Sequence, residues 1–299
     1  MATSRAPTSA AGSASRSSGH QSKSILPAGA YPALPVTPDR LRRVLSIAGS
    51  DSGGGAGIQA DLKTFARFGV FGASVITAVT AQNTQGVRGW ERVSPALVRA
   101  QIDAVAEDLR PAAIKSGMLG DAEVVSAVAE GVRRHGLSPY VLDPVMAATS
   151  GDALLTPDAV SSTVRELFPL ATLVTPNLDE VGLLTGERPT DAEGMERAAR
   201  ALVERHGARA ALVKGGHLAG DELVDVLFDG ASLHRFSHAR VATTSTHGTG
   251  CTLSAAIAAR LAVGDSLLGA VAEGLEYVAR AIASAPGLGR GHGPLNHWA

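Results

Sequence analysis

The sequence of 299 residues has one cysteine, almost no excess charge and no long apolar run, and each shortage excludes a class of protein. A lone cysteine, Cys251, excludes an intramolecular disulfide framework and is typical of a reducing compartment, so we expect a cytoplasmic location. Twenty-seven basic and 28 acidic residues argue against a dedicated nucleic-acid-binding protein. No apolar run approaches the roughly 18 residues that a membrane span needs, so no membrane partner is expected.

The sequence does contain enough apolar residues, 45%, to build a substantial core. Residues 1–40 differ from the rest, because they are rich in Ser, Ala, Pro and Gly and show no periodicity. We predict that they form a disordered tail, although an acid-poor segment with Arg and Ser is also compatible with an organellar transit peptide. Residues 41–299 are predicted to form one folded α/β domain.

Short apolar runs alternate with helical patterns from Leu41 onward, which predicts a mostly parallel sheet covered by helices on both faces. Strands are predicted at 43–49, 74–81, 112–118, 140–146, 172–177 and 210–216. Helices are predicted near 57–68, 95–109, 121–135, 157–167, 191–206, 249–263 and 266–284. Ser94 and Pro95 are typical of a helix N-cap and first turn, and Asp229-Gly230 predicts a hairpin within 222–236.

Polar or glycine-rich residues follow the predicted strands directly. In open α/β sheets ligands bind beyond the carboxyl ends of the strands, so these residues are expected at one edge of the sheet. They are Gly49-Ser50-Asp51, Gln82-Asn83, Met118, Asp143-Pro144-Val145, Asn177 with Glu180, and Lys214-Gly215-Gly216-His217. Their common position predicts a ligand site there.

The glycine-rich loop at 49–57 is similar to phosphate-binding loops, but neither the P-loop pattern nor the dinucleotide-binding fingerprint accounts for it. The P-loop pattern fails because Gly55 stands where a lysine is required. Residues 55–60 match a dinucleotide fingerprint formally, yet the next strand ends in Gln82 rather than in an acid that would hold a ribose, which disfavours a nucleotide-dependent oxidoreductase. A tight strand-to-helix turn and a close backbone approach to a small ligand both remain open.

A second glycine segment, residues 246–252, stands immediately before an alanine-rich helix. Its glycines let successive N–H groups converge, and the helix start adds the positive end of a dipole. Together they predict a site for an anion or for charge that develops in a transition state. Cys251 lies at this helix start, where thiol pKa values fall, although a buried structural cysteine is an equal alternative.

Asp143, Asn177 and Glu180 offer oxygen atoms of the kind that Mg²⁺ prefers. The alternatives are an N-cap role for Asn177 and a solvated first-turn position for Glu180. Lys214 ends an apolar strand, where it either faces solvent or reaches a phosphate. No His/Cys spacing typical of a zinc site is present in the sequence.

Seven segments in collinear order resemble the bacterial hydroxymethylpyrimidine/phosphomethylpyrimidine kinases, which are members of the ribokinase-like superfamily. The resemblance extends from about residue 43 to residue 299 and leaves out only the tail. The segments are VLSIAGSDSGGGAGIQAD (44–61), ITAVTAQNTQGV (76–87), LDPVMAATSGDALL (142–155), TPNLDE (175–180), VKGGHL (213–218), THGTGCTLSAAIA (246–258) and GLGRGHGPLNH (287–297).

This resemblance implies a ribokinase-like three-layer α/β/α sandwich without a separate lid domain, and a homodimer. It also implies two successive phosphorylations that use ATP and Mg²⁺ and belong to thiamine biosynthesis. The first acts on the hydroxymethyl group of 4-amino-5-hydroxymethyl-2-methylpyrimidine, and the second converts the monophosphate to the diphosphate. A requirement for a monovalent cation stays open.

The resemblance also assigns roles to residues on the acceptor side of the site. Gln82 matches the residue that recognises the pyrimidine, and a carboxamide offers the donor and acceptor that an aminopyrimidine edge requires. The residues expected to line the same pocket are Gly49, Ala56 and Asp61, with Met118 and Val145 packed on the ring.

On the phosphate side, Asn177 and Glu180 match an N-x-x-E element that acts on Mg²⁺ and phosphates. Lys214 is implied to neutralise the ATP phosphates, and Thr246 to contact the nucleotide. The residues implied to form the anion hole are Gly248, Thr249 and Gly250.

Cys251 stands where many sugar kinases of the superfamily have an aspartate base. An alcohol acceptor loses a proton during phosphoryl transfer, whereas a phosphate acceptor is already an anion. The hypothesis is therefore that Cys251 matters mainly for the first phosphorylation. Two other functions stay open: a pyridoxal kinase, which Gln82 disfavours, and a pyrimidine-binding sensor without catalytic activity.

Overall fold

One nine-stranded sheet organises the described part of the chain, which comprises residues 1–2, 41–147, 155–216 and 222–299 of a computed structural model. The strands are β1 Arg43–Asp51, β2 Phe71–Asn83, β3 Gly86–Arg92, β4 Ala113–Ser116, β5 Tyr140–Leu142, β6 Leu173–Val174, β7 Ala211–Val213, β8 Glu222–Phe228 and β9 Leu233–Ala239. Their order is β3-β2-β1-β4-β5-β6-β7-β8-β9. The six central strands, β2, β1, β4, β5, β6 and β7, are parallel, while β3 at one edge and β8 and β9 at the other pair antiparallel.

Helices cover both faces of this sheet. They are α1 Gly57–Arg67, α2 Pro95–Leu109, α3 Ala122–His135, α4 Pro157–Glu166, α5 Leu178–Thr185, α6 Ala192–Glu204, α7 Thr249–Val263 and α8 Leu267–Ala283. One apolar cluster joins the sheet to α2, α3, α4, α5 and α6, and a second joins it to α1, α7 and α8. The predicted three-layer arrangement with a mostly parallel sheet is thus confirmed. Within the described residues, no helix is long and apolar enough to cross a membrane.

Local sequence signals place several elements correctly. Helix α2 begins at Pro95, and the Ser94 hydroxyl accepts the Leu97 N–H at 3.3 Å, as an N-cap does. Strands β8 and β9 form the predicted antiparallel hairpin around Asp229-Gly230. The helix predicted at 249–263 has those bounds in the structure.

Two elements differ from the predictions. Strand β3 was not expected, because most of its residues face solvent at a sheet edge and show no apolar alternation. Helix α5 was not among the predicted helices, although the N-cap alternative for Asn177 and the first-turn alternative for Glu180 imply a helix start there. The predicted tail falls almost wholly on residues 3–40, which lie outside the described residues, as do residues 148–154 (ATSGDAL) of one matching segment and His217 and Leu218 of another.

Candidate active site

The carboxyl ends of the parallel strands enclose a cavity of about 740 Å³, a volume typical of small-molecule sites. The first turn of α7 and one side of α8 complete its wall. The predicted site residues that line it are Gly49, Ala56, Gln82, Met118, Asp143, Val145, Asn177, Glu180, Lys214, Thr246, Gly248, Thr249, Gly250 and Cys251. The sheet thus brings together residues that are 200 positions apart in sequence.

Asp61 is the predicted residue that the structure places elsewhere. Its side chain is completely buried beneath the cavity, where the carboxylate contacts Lys115 Nζ at 2.9 and 3.0 Å and accepts the Ser46 hydroxyl. Lys115 is equally buried, and although burial alone lowers the pKa of its ammonium, the Asp61 carboxylate raises it. The expectation that Asp61 lines the substrate pocket is therefore corrected: it is the counter-ion of a buried lysine.

A charged pair occupies the middle of the cavity wall. Lys214 Nζ lies 3.0 Å from Asp143 Oδ1, which also accepts the Thr175 hydroxyl at 3.1 Å. Burial alone lowers the pKa of Lys214, but Asp143 and Glu180 outweigh it and raise the pKa, so the ammonium stays charged. The lysine keeps 14% of its side chain exposed to the cavity, which leaves it able to contact an anionic ligand.

The first turn of α7 presents backbone N–H groups beside this lysine. Thr249 N–H donates to Thr246 O and Thr252 N–H to Gly248 O, whereas those of Gly250 and Cys251 have no acceptor in the described part of the chain. Gly248 takes φ 83°, and a side chain there would overlap the carbonyl of Gly55. This turn has the form of an anion hole.

Cys251 lines the cavity from the same turn and is half-buried. Burial raises the pKa of its thiol to about 11, and the attraction of Lys115 offsets this only in part. The expectation that the helix start lowers this pKa is therefore wrong, because removal from water is the larger effect. At neutral pH the group is a thiol.

Asn177 and Glu180 form a capping box at the start of α5. The Asn177 side chain accepts the Glu180 N–H at 2.9 Å, and the Glu180 carboxylate accepts the Asn177 N–H at 2.7 Å. Glu180 is nevertheless buried rather than solvated, and burial raises its pKa to about 7 against the attraction of Lys214. The N-cap alternative is confirmed for Asn177, and the solvated first-turn alternative for Glu180 is wrong, because its side chain is buried.

The glycine loop at 49–57 wraps around a side chain of its own. Asp51 accepts the N–H groups of Gly53, Gly55 and Ala56 at 2.8 to 3.0 Å, and His247 Nε2 lies 2.8 Å from the same carboxylate. These donors outweigh burial and lower the pKa of Asp51. The loop is therefore a tight strand-to-helix turn whose amides are directed inward, and no phosphate cradle remains in it.

No role was predicted for Lys115 from the sequence, and Asp51 and His247 were included only as members of their segments, without the contact that joins them. Asp51 and His247 are 196 positions apart, and each sits in a motif whose glycines drew the attention. The one available signal was chemical, since an ionisable residue inside an otherwise apolar strand, as Lys115 is in AIKS, needs a partner of opposite charge.

The acidic side chains of the cavity are not arranged as a metal centre on their own. In the part of the chain that the structure describes, no group of three His, Cys, Asp or Glu side chains is placed to hold an ion. Asp143 and Glu180 do offer the carboxylate oxygens that Mg²⁺ accepts, and magnesium commonly keeps waters and phosphate oxygens for its remaining positions. The residues fit an ion held mainly by a phosphorylated ligand.

The fold and the site define a small-molecule kinase of the ribokinase-like class. A family model described as phosphomethylpyrimidine kinase matches residues 51–296, and the chain belongs to this family. The hydroxymethylpyrimidine/phosphomethylpyrimidine kinase of Rhizobium meliloti is 56% identical over 257 residues, which cover 85% of this chain and 96% of that protein.

Solved structures agree with this assignment. The pyridoxal kinase of Bacillus subtilis in an ADP complex is similar with a TM-score of 0.80 and 34% identity, over 86% of this chain and 97% of that one. The phosphomethylpyrimidine kinase of Clostridium difficile is similar with a TM-score of 0.72 and 40% identity, over 81% of this chain and 99% of that one.

Proposed function

We propose that this protein transfers a phosphoryl group from ATP to 4-amino-5-hydroxymethyl-2-methylpyrimidine, and then a second one to the monophosphate, toward thiamine diphosphate. The observation that carries the proposal is one cavity that combines three environments. A carboxamide lies at one side, a cationic side chain and a glycine-rich helix start at the centre, and an apolar wall at the other side.

The acceptor side lies over β1, β2 and β4. Gln82 offers a donor and an acceptor to the aminopyrimidine edge, and Met118 and Val145 offer apolar contact to the ring faces. Ala78 and Val87 pack with them, which gives this side its own apolar cluster. We propose that the hydroxymethyl group then points toward Cys251 and the N-terminus of α7.

The nucleotide side lies over β7, β8 and β9 because the sheet order separates these strands from β2. Its wall includes the apolar residues Leu223, Val241, Leu275, Val278 and Ile282, which suit a flat base. We propose that the phosphates extend from there to Lys214 and to the N–H groups of Gly250 and Cys251. Mg²⁺, which supplies charge neutralisation at the phosphates when bound, would have Glu180 as its protein carboxylate.

Pyridoxal kinase is the second candidate, because a structure of that activity shares the fold at 34% identity. The higher identity of 56% to a hydroxymethylpyrimidine/phosphomethylpyrimidine kinase favours the pyrimidine. Gln82 supports the same choice, since pyridoxal lacks the aminopyrimidine edge that a carboxamide reads.

We also propose a cytoplasmic homodimer. Its support is the family resemblance together with exposed apolar side chains on the β2–β3 hairpin, where Val79 is 53% and Trp90 37% exposed. Light scattering of the purified protein measures the mass directly, and a monomer at micromolar concentration would contradict the dimer.

Product analysis of the purified protein with MgATP tests the main proposal. With the hydroxymethylpyrimidine we expect the monophosphate first and the diphosphate later, and with pyridoxal in a parallel reaction little or no product. Gln82→Met, which keeps the side-chain length and removes the amide, is expected to raise the KM for the pyrimidine at least tenfold. Phosphorylation of pyridoxal alone would favour the second candidate, and binding without turnover would indicate a sensor.

A further inference from the structure

The amide of Gln82 has two polar neighbours besides any ligand. Its Oε1 lies 3.2 Å from Thr80 Oγ1, and its Nε2 lies 3.5 Å from His247 Nε2. Thr80 and His247 are buried, and both line the cavity. The protons that these neighbours carry therefore influence which way the amide faces.

Thr80 has one hydroxyl proton and a better acceptor than Gln82 for it. Its Oγ1 lies 2.9 Å from the carbonyl oxygen of Ser50, and a carbonyl can only accept. With the proton directed to Ser50, the lone pairs of Thr80 Oγ1 face Gln82. If the amide oxygen of Gln82 faces Thr80 Oγ1, two acceptors face each other. If the amide N–H faces Thr80 Oγ1, it donates a hydrogen bond to it.

His247 presents the opposite group. Asp51 Oδ2 already accepts two backbone N–H groups, from Gly55 and Ala56, and lies 2.8 Å from His247 Nε2. A carboxylate only accepts, so Nε2 of His247 carries the hydrogen. That hydrogen is directed to Asp51, so at 3.5 Å the Gln82 amide meets only the electropositive edge of the ring, which disfavours an amide nitrogen there and favours an amide oxygen.

A half-turn of the Gln82 amide gives its N–H an acceptor in Thr80 Oγ1 and turns its oxygen to the electropositive ring edge of His247. We propose that Thr80 and the Asp51–His247 pair hold the amide with Nε2 toward Thr80 and Oε1 toward His247, and thereby determine which ligand edge the site accepts. The free lone pair of Oε1 then requires a ligand donor on the His247 side, and the free N–H requires an acceptor on the Thr80 side. An amino group beside an unprotonated ring nitrogen has this pattern.

The identity of the ligand in this inference rests on the proposed function. The inference adds which residues set the orientation of the Gln82 amide. It makes Thr80 a positioning residue for specificity. The 4-oxo analogue of the pyrimidine is the sharpest probe, because a carbonyl beside a ring N–H presents the reversed pattern. An amide held in one orientation rejects this analogue, since buried polar groups would be left without partners.

The experiment compares dissociation constants for the 4-amino and 4-oxo pyrimidines, measured by calorimetry on the full-length protein and on Thr80→Val. The wild type is expected to prefer the amino compound at least a hundredfold, and Thr80→Val to reduce this preference at least tenfold, because the valine methyl no longer accepts the amide N–H. Thr80→Ser keeps the hydroxyl and should retain the wild-type preference. Thr80→Ala provides a second hydroxyl-free variant.

A preference that is unchanged in both hydroxyl-free variants, with the two ligands weakened equally, would overturn the proposal and leave Thr80 a structural residue. Turnover is measured separately with MgATP. Wild-type protein that binds the amino compound selectively without phosphorylating it would contradict the proposed function and leave the orientation supported. The two failures are therefore distinguishable.

Discussion

At the scale of single residues, Cys251 joins the two halves of the proposed chemistry. It belongs to the turn that presents the anion hole and also lines the cavity. With a pKa of about 11, its thiol is protonated at neutral pH, so it can accept the proton of the acceptor hydroxyl only after it has given up its own proton. Lys115, buried nearby, favours the thiolate that this base step requires.

Removal of this thiol is expected to separate the two phosphorylations. Cys251→Ala should slow the transfer to the hydroxymethyl group by about 10²–10³-fold, within the range of general base catalysis. The transfer to the monophosphate should fall less than tenfold, because that acceptor is already an anion. Single-turnover rates with each acceptor measure the difference.

Cys251→Ser provides the control, since it keeps the shape of the turn and replaces the thiol by a hydroxyl. It should lose the first step nearly as Cys251→Ala does if proton acceptance at this position is what matters, because a serine hydroxyl gives up its own proton far less readily than a thiol. Equal losses in both steps for Cys251→Ala would contradict the base role and indicate that the side chain only packs against the substrate.

At the scale of elements, a buried ion pair connects the sheet to α1. Lys115 belongs to β4, Asp61 to α1 and the third partner, Ser46, to β1. Removal of one charge from such a pair leaves the other without compensation, which costs about 3–5 kcal/mol. Asp61→Asn is therefore expected to lower the free energy of unfolding by about 3 kcal/mol in urea titrations.

The double variant Asp61→Leu/Lys115→Met removes both charges and is expected to recover most of that loss. This comparison also tests the original assignment of Asp61 to the substrate pocket. A stable Asp61→Asn protein with a raised KM for the pyrimidine would restore that assignment.

The capping box of α5 holds the Glu180 carboxylate in a buried position, where removal from water disfavours its charged form. Glu180→Gln preserves the cap, because a glutamine side chain also accepts the Asn177 N–H, and removes only the charge. Its kcat/KM is expected to fall at least tenfold, with a higher requirement for Mg²⁺. Kinetic titrations with Mg²⁺ at fixed ATP measure both effects.

The same substitution should change the dependence of stability on pH. The pKa of Glu180 is raised from 4.5 to about 7 in the folded state, so between these values the folded chain binds more protons than the unfolded chain. Its stability contribution is full below pH 4.5 and is lost as pH rises through 7. The advantage of Glu180→Gln over wild type is thus expected to grow by about 1–3 kcal/mol from pH 5 to pH 8.

Urea titrations of both proteins at these two pH values provide the measurement. The Glu180→Gln protein is expected to be less active than the wild type and, at pH 8, more stable. A constant difference across the range would mean that the folded-state pKa of Glu180 is ordinary.

Elements with local signals could be predicted from the sequence, and the contacts between distant elements could not. Helix α2 carries its own cap and proline, and the β8–β9 hairpin carries its own turn, so both were placed correctly. The strand ends that form the site were recognised because they share one edge of the sheet. The pairing of distant charged residues could not be predicted in this way. Nothing in the sequence shows that Asp61 and Lys115 compensate each other's charge.

At the scale of the whole molecule, the site depends on the full width of the sheet. The acceptor side lies over β2, and the nucleotide side reaches β8 and α8, so no smaller part of the chain contains both. Residues 43–299 supply all the strands and helices of the described part. The Rhizobium meliloti relative matches over 96% of its own length yet over only 85% of this chain, and the match to the family model begins at residue 51.

We therefore expect a chain that starts at Leu41 to fold and work like the full chain. Leu41 and Arg42 remain in it, and these are the first residues whose carbonyl groups accept hydrogen bonds in the described part, from Arg43 and from the Phe71 N–H. Its melting temperature should agree within about 2 °C and its kcat/KM within about twofold, since it keeps every described residue of both apolar clusters.

A chain that starts at Ser46 is the matched control. It lacks the Arg43 guanidinium that donates to the Leu109 carbonyl at 2.8 Å, the backbone pairs of β1 with Phe71 and Gly72, and the buried side chains of Val44 and Leu45. Burial of those two side chains alone is worth about 3–6 kcal/mol, so this shorter chain should melt far below the other two. If removal of residues 1–40 lowered the melting temperature as much as this control does, those residues would have to be part of the folded domain.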